Sequence, residues 1–426
     1  MIRIEVEDLS STKKKLQIGV PGDIVTKEIE SAYRRLGKKA KVKGFRPGKV
    51  PRTILQRYYG DYVRDEVINK LVSDTFFKVL SEKDIQPVSQ PTIDNGALEE
   101  GRDFEYSATV EVKPEITVQD YFGVQLKGSK VQVARGDVEK RLRELQELHA
   151  QLVTVEKRKK VRKGDYVIID FEGFSDGKPF EGNSGKDFML QVGSGGGIPG
   201  FDEKLIGLER EAEKEFEVTF PEDHPTMAGK RVAFRVEIKE IKEKILPKLD
   251  DEFSKDIGDS KDLKELRERV RQDLKREREE LIKRDLEKQL IEKLINDNPF
   301  DVPRTMVERH IDYLVADMRM RLAAQGLALK DVGVGEGKLR KDFEEAALKR
   351  VKQGLILEKI SALEGISVKD EEVTERLREI SLRTNQNVEK VRSYYQQDDR
   401  MEELKARIVE EKALEFLLDK SNVTYN

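Results

Sequence analysis

Two stretches of this chain carry residue types that could do chemistry, one through its charge and one through its apolar rings. The first is Lys41-Val42-Lys43-Gly44-Phe45-Arg46-Pro47-Gly48-Lys49-Val50-Pro51. Two glycines and two prolines within eight residues exclude a helix or a central strand, so this is a loop. From Arg34 to Arg57 there are ten Lys or Arg and no Asp or Glu, although the whole chain balances 81 Lys+Arg against 84 Asp+Glu. A one-signed segment of that length suits a polyanionic partner, because each Lys or Arg that neutralises a phosphate releases counterions. A solvated loop tip is the plainer reading of the same residues. No DNA-reading motif or aromatic stacking series accompanies the loop, which argues against readout of base sequence.

The second stretch spans 151–245, where glycines, short β-branched runs and turn pairs ("SDGKPF", "EGNSG", "GSGGGIPGF") read as a small β-rich domain. Gly195-x-Gly197-x-x-Gly200 has the spacing of a dinucleotide loop. Pro199 removes one of the amides such a loop needs, and no βαβ pattern surrounds it, so nucleotide binding is set aside. The order Asp170-Phe171-x-Gly173, Asp176-Gly177-Lys178-x-Phe180, Phe188, Ile198-Pro199-Gly200-Phe201 and Phe234 resembles the FKBP-type peptidyl-prolyl isomerases. That resemblance implies an apolar pocket walled by Phe171, Phe180, Phe188, Ile198, Phe201 and Phe234, with Phe201 as its floor and the Ile198 N–H as a donor. Ordinary core packing is the bland alternative for the same phenylalanines. Phe201 stands where small relatives often carry Trp, and His224 where many carry a hydrogen-bonding Tyr. The chemistry suits such residues: the obstacle at an X-Pro bond is a rotation barrier of about 18–20 kcal/mol. Removing the imide from water favours the twisted, less charge-separated state without any proton transfer.

These stretches need elements to hold them. Residues 2–8 and 13–20 alternate like a hairpin, Pro21-Gly22-Asp23 opens a helix, and Val63 to Leu80 marks a second amphipathic helix. "DFEYSATVEV" at 103–112 alternates strictly and closes a sheet. Val138, Leu142, Leu145 and Leu148 stripe a helix over 134–149. From 248 onward the chain is helical, with Leu263, Leu266, Val270, Leu274, Leu281, Leu286, Leu290 and Leu294 on one long charged helix. Further helices are expected after Pro303 and around 338–363, 367–383 and 399–419. The expected fold class is multidomain α+β. It comprises an α+β domain at 1–113, a β-rich domain at 150–245, and a long all-helical domain, 114–149 plus 246–426, into which the β-rich domain is inserted.

Loop, β-domain and helical remainder together resemble the trigger factor family of bacterial ribosome-associated chaperones across all 426 residues. "GFRPGKVP" matches its ribosome-docking signature, and "LPKLDDEFSKDIG" marks the re-entry into the helical part. The resemblance implies docking through Gly44, Phe45, Arg46, Pro47, Gly48 and Lys49 onto the ribosome, with ribosomal RNA and an exit-tunnel protein as contacts. It also implies a helical cradle for nascent or unfolded polypeptides, with Met306, Met318 and Met320 as adaptable contacts, working without nucleotide. A stand-alone isomerase and an RNA-binding ribosome-assembly factor are the alternatives. No cofactor, metal, DNA or membrane partner is expected. The chain has no Cys, its three histidines (His149, His224, His310) lack ligand spacing, and no window reads as a membrane span. A cytoplasmic protein is expected, with weak homodimerisation off the ribosome left open.

Overall fold

The computed structural model describes residues 2–425 except 44, 46–47, 176–177, 196–197, 223–227, 259 and 398–399, and except the side chains of 178–182. The chain divides into two compact units, one formed by 1–129 with 283–426 and the other by 130–282.

The first unit opens with an antiparallel hairpin, β1 (Arg3–Ser10) and β2 (Lys13–Val20), then α1 (Gly22–Lys39) and α2 (Arg52–Glu82). β3 (Thr92–Asn95) and β4 (Phe104–Glu111) complete a sheet of order β1-β2-β4-β3. Strict alternation puts Leu16, Ile18 and Val20 of β2 and Phe104, Tyr106, Ala108 and Val110 of β4 on one face. Val25, Ile29, Ala32 and Tyr33 of α1 and Val63, Val67, Leu71, Phe76 and Val79 of α2 cover that face. α2 starts eleven residues before the stripe at Val63, at the Pro51 N-cap, and is kinked at Tyr59 (φ −132°, ψ 16°). Inside the core, the Thr75 hydroxyl donates to the Leu71 carbonyl (2.6 Å), so the Tyr106 hydroxyl donates to Thr75 (2.8 Å). β5 (Gln125–Gly128) follows.

In the second unit come α3 (Arg135–Leu148), β6 (Gln151–Thr154), β7 (Tyr166–Ser175), β8 (Lys178–Gln191), β9 (Glu213–Thr219) and β10 (Arg231–Ile245). The long β10 is the hub, pairing antiparallel with β6, β7 and β9, while β8 pairs with β7. Val167, Ile169, Val218, Val232, Phe234, Val236, Ile238 and Ile241 close its core. α4 (Asp251–Ile257) and the first part of α5 (Leu263–Asp297) pack on α3 through Val138, Leu142, Phe253, Leu266 and Val270. The expected stripe on α3 is half realised, for Leu145 is only partly buried and Leu148 is 78% exposed.

Back in the first unit, α5 ends and is followed by α6 (Arg304–Ala324), α7 (Glu336–Glu364), α8 (Asp370–Thr384), α9 (Val388–Tyr395) and α10 (Arg400–Asp419). The stripe on α5 also fails at one position: Leu286, Leu290 and Leu294 are buried, but Leu281 is 60% exposed. The chain's last strand, β11 (Asn422–Tyr425), pairs parallel with β5, a contact across nearly 300 residues that local pattern does not announce. Asn298 at the end of α5 is buried and exchanges hydrogen bonds with the backbone of Gln119.

A buried ion pair ties down the start of β7. Arg158 donates to both oxygens of Asp165 (2.5 and 2.8 Å), and the Arg162 N–H donates to Oδ2 (2.7 Å). Burial works against the charge on Asp165, but these donors more than offset it and hold the carboxyl below its ordinary value of 3.8. A carboxyl whose pKa is depressed on folding stabilises above its unfolded value and loses that contribution as pH falls through the folded one. Arg158→Met should therefore cost about 3–5 kcal/mol at neutral pH by leaving Asp165 buried and unpaired. The gap between variant and parent should close as pH falls below 3.8. Urea denaturation at several pH values measures both; a gap independent of pH would contradict the assignment.

Candidate functional site

The β-rich unit contains a cleft of about 300 Å³ lined by Phe171, Phe188, Met189, Leu190, Gln191, Ser194, Ile198, Phe201, Asp202 and Phe234. Phe171 comes from β7, Phe188 and Met189 from β8, and Phe234 from β10. Five of the six residues singled out for a pocket thus line one cavity. Of the sixth, Phe180, the side chain lies outside the described residues, as do His224 and Gly197.

Aromatic packing builds the walls. Phe201 meets Phe234 edge-on at 5.0 Å, and Phe171 lies 6.2 Å from both and 5.6 Å from Phe188. Phe234, only 2% exposed, is the deepest of these rings, with the half-buried Phe201 above it. Phe188 is 52% exposed and forms the rim. Two glycines make this possible. A Cβ on Gly173 would sit 2.8 Å from the Phe234 ring, and one on Gly185 would sit 2.6 Å from the Phe171 ring. Only bare backbone lets the rings approach that closely.

Between Phe171↔Gly185 and Ile169↔Phe188 the β7–β8 register shifts, so β8 bulges and Asp187 takes φ +52°. Asp170 accepts from the Asp187 N–H (2.8 Å) and from Lys239 (2.9 Å), and Lys239 also donates to Asp187 (2.8 Å). Lys239, then the Asp187 amide, hold the Asp170 carboxyl below the usual range, while Asp187 and Asp170 raise Lys239. This clasp fixes the bulge that turns Phe188 toward the cleft.

The opposite wall is a tight turn. The Phe201 N–H donates to the Ile198 carbonyl (3.0 Å), and Gly200 has φ +82°, the pattern of a type II turn with Pro at its second and Gly at its third position. The chain then enters a four-residue 3-10 helix, Asp202–Leu205, rather than an α-helix whose amides would hold a pyrophosphate. Asp202 is buried, and its two oxygens accept from the N–H groups of Gly195 and Glu203 at 3.0 Å each. The Asp202 carboxylate is therefore committed to the turn. Gly185, Met189 and Asp202 were missed in the sequence; "EGNSG" was visible only as a turn, and what Gly185 faces is a ring fourteen residues away.

The basic loop lies in the first unit, between α1 and α2. Ala40 is buried and closes α1 by donating to Leu36, Val50 packs on the core, and the Pro51 carbonyl accepts from Ile54 and Leu55. Between these anchors the Phe45 N–H donates to Val42 (3.1 Å), Phe45 is 40% exposed, and Gly48 takes φ +83°, where an added Cβ would meet nothing within 4 Å among the described residues. Gly44, Arg46 and Pro47 lie outside the described residues. Of the ten cations between 34 and 57, Arg35 pairs with Glu28 and Glu66, and Arg52 with Glu100. Among the described residues Lys38, Lys39, Lys41, Lys43, Lys49, Arg34 and Arg57 have no carboxylate within ion-pair distance. Among the described residues, no helix is long and apolar enough to cross a membrane.

Family models match three segments. "Bacterial trigger factor protein (TF)" covers 2–145, "FKBP-type peptidyl-prolyl cis-trans isomerase" covers 157–239, and "Bacterial trigger factor protein (TF) C-terminus" covers 262–419. The chain is similar to the trigger factor of Geotalea daltonii, 41% identical with 99% of this chain and 98% of that protein covered. It is also similar to those of Syntrophotalea carbinolica (38%, covering 99% and 96%) and Halothermothrix orenii (36%, covering 98% and 99%). A solved trigger factor chaperone, described in terms of promiscuous substrate recognition in folding and assembly, shares the fold. Its TM-score is 0.56 at 23% identity, with 97% of this chain and 99% of that chain covered.

Because the ring of Phe234 already occupies the space a Cβ would need, Gly173→Ala should cost about 1–3 kcal/mol and tilt that ring into the cleft. Chemical denaturation measures the cost. An unchanged midpoint would show that the ring yields freely.

Proposed function

The chain belongs to the trigger factor family, and from that premise we propose how its parts divide the work of a chaperone that has a ribosome-binding N-terminal domain and an FKBP-type peptidyl-prolyl isomerase domain. Its partners are the ribosome and nascent polypeptides. In our reading the domains are 1–113 for docking, 150–245 for isomerisation, and 114–149 with 246–426 for holding clients.

The isomerase acts by exclusion of water. A prolyl segment enters the cleft, its imide leaves water among Phe171, Phe201 and Phe234, and the twisted state gains because resonance and charge separation are lost in it. The Ile198 N–H is assigned to the prolyl carbonyl, and Phe180 and Phe188 to the rim. No acid or base is needed, and among the described residues the carboxylate that lines the cleft, on Asp202, is held by two backbone amides. The observation that carries this reading is the convergence of Phe171, Phe188, Ile198, Phe201 and Phe234 on one cavity.

Docking is assigned to Gly44, Phe45, Arg46, Pro47, Gly48 and Lys49, with ribosomal RNA and a protein at the tunnel exit as contacts, in the cytoplasm. The unpaired cations support it, since a polyanion is what satisfies charges the protein leaves free. Client holding needs accessible apolar surface, and Leu281, Tyr313, Met320, Leu363 and Leu382 are exposed on the helices. Weak homodimerisation would cover part of that surface when no ribosome is present.

Two experiments test the division. Replacing Phe45, Arg46 and Lys49 with Ala should abolish co-sedimentation with ribosomes and leave isomerase activity intact, and parental binding should fall steeply with added salt. Co-sedimentation undiminished by the triple change would eliminate the docking assignment. Phe201→Ala should lower kcat/KM for X-Pro isomerisation by about tenfold or more while ribosome binding persists. A stand-alone isomerase would show no loop effect, and a ribosome-assembly factor no isomerase effect.

A further inference from the structure

The kinked start of α2 carries a second feature beside the basic loop. Tyr58 and Tyr62 stand four residues apart, 68% and 60% exposed, and neither ring has an aromatic or cationic contact among the described residues. Both line a groove of about 410 Å³ that also takes in Tyr33, Arg57, Arg64 and Glu100. Its acidic groups are already engaged, Glu100 by Arg52 and Asp61 by Arg64, whereas among the described residues Arg57 has no carboxylate within ion-pair distance. The Tyr59 hydroxyl reaches the Lys41 carbonyl at 3.5 Å, so the kink brings the groove against the loop.

Exposing two neighbouring tyrosines loses the stabilisation their burial would bring. What fits flat aromatic faces flanked by guanidinium groups, continuous with a run of free cations, is a nucleic-acid strand with an unstacked base. We infer that the Tyr58–Tyr62 groove is an RNA-binding surface that takes an unpaired base of ribosomal RNA while the basic loop holds the adjoining phosphates. The inference rests on the docking reading and extends it from charge to stacking. Phosphate contacts alone would position the protein anywhere along a polyanion, whereas a stacked base restricts it to places where RNA is looped out. Readout of base identity is not implied, since every base presents a flat face.

The test uses the full chain with two probes, purified large ribosomal subunits and a fluorescent 12-nucleotide single-stranded RNA. Tyr58→Ala with Tyr62→Ala should weaken binding to both by about tenfold, and Tyr58→Phe with Tyr62→Phe, which keeps the rings, should retain it. Isomerase activity and helical content should match the parent in both variants, because the exposed rings support no core. Parental binding by the alanine variant would overturn the inference. So would a loss on subunits with none on the RNA, which would mean that the groove meets a protein, or an equal loss in the phenylalanine variant. The loop variant, run alongside, separates the two readings. If it too binds subunits like the parent, docking itself is wrong; if it alone fails to bind, only the groove is.

Discussion

A chain in which 39% of residues are charged and 37% hydrophobic has little apolar surface to bury, and that scarcity governs its architecture. Burial contributes about 25 cal/mol per Å², so each core has to be small and complete in itself. The structure meets the constraint with separate clusters. One lies between sheet and helices in the N-terminal part, one inside the β10-centred sheet, one where α3 meets α4 and α5, and one among α8, α9 and α10. Each is closed by its own alternating or 3.6-period pattern. A β-rich domain can therefore be carried between two stretches of helix without sharing their core.

The same scarcity makes the free surface informative. Many cations here have carboxylate partners: Arg376 is bonded to Glu411, Arg340 to Glu308 and Asp312, and Lys412 to Glu372. Exposed pairs of this kind are individually worth little, so their number says more about how charge is neutralised than about stability. What sets Arg34 to Arg57 apart is a run of ten cations with no carboxylate among them. Arg35 ties α1 to α2 through Glu66 and Arg52 ties α2 to the β3–β4 connection through Glu100, while the cations between them have no carboxylate within ion-pair distance among the described residues.

The isomerase cleft inverts the usual description of an active site. Its polar groups serve its shape: Asp202 holds the turn that presents Ile198 and Phe201, and Asp170 with Lys239 holds the bulge that presents Phe188. Among the described residues, what else faces the cavity is mainly ring and aliphatic surface, with Gln191 and Ser194 beside it. A reaction that breaks no covalent bond and moves no proton asks for that and little more, which is why an apolar box can be a catalyst.

Much of this was legible in the sequence. The phenylalanines that face the cleft were singled out by resemblance to a family, whereas the hairpin, the helices at α1, α3, α6, α7, α8 and α10 and the charge of the loop follow from residue type and near-neighbour spacing. Those quantities decide helix against strand and loop. They do not decide what lies opposite. Leu148 and Leu281 continue apolar stripes yet stay largely exposed, because where a helix outruns its neighbour is a property of the assembled fold. The bulge at Asp187, the ring that Gly185 accommodates, the parallel pairing of β11 with β5 and the kink at Tyr59 each depend on groups distant in the chain or on how α2 meets its surroundings. Periodicity is local and the sequence states it directly. Packing partners are non-local, and only the folded chain decides them.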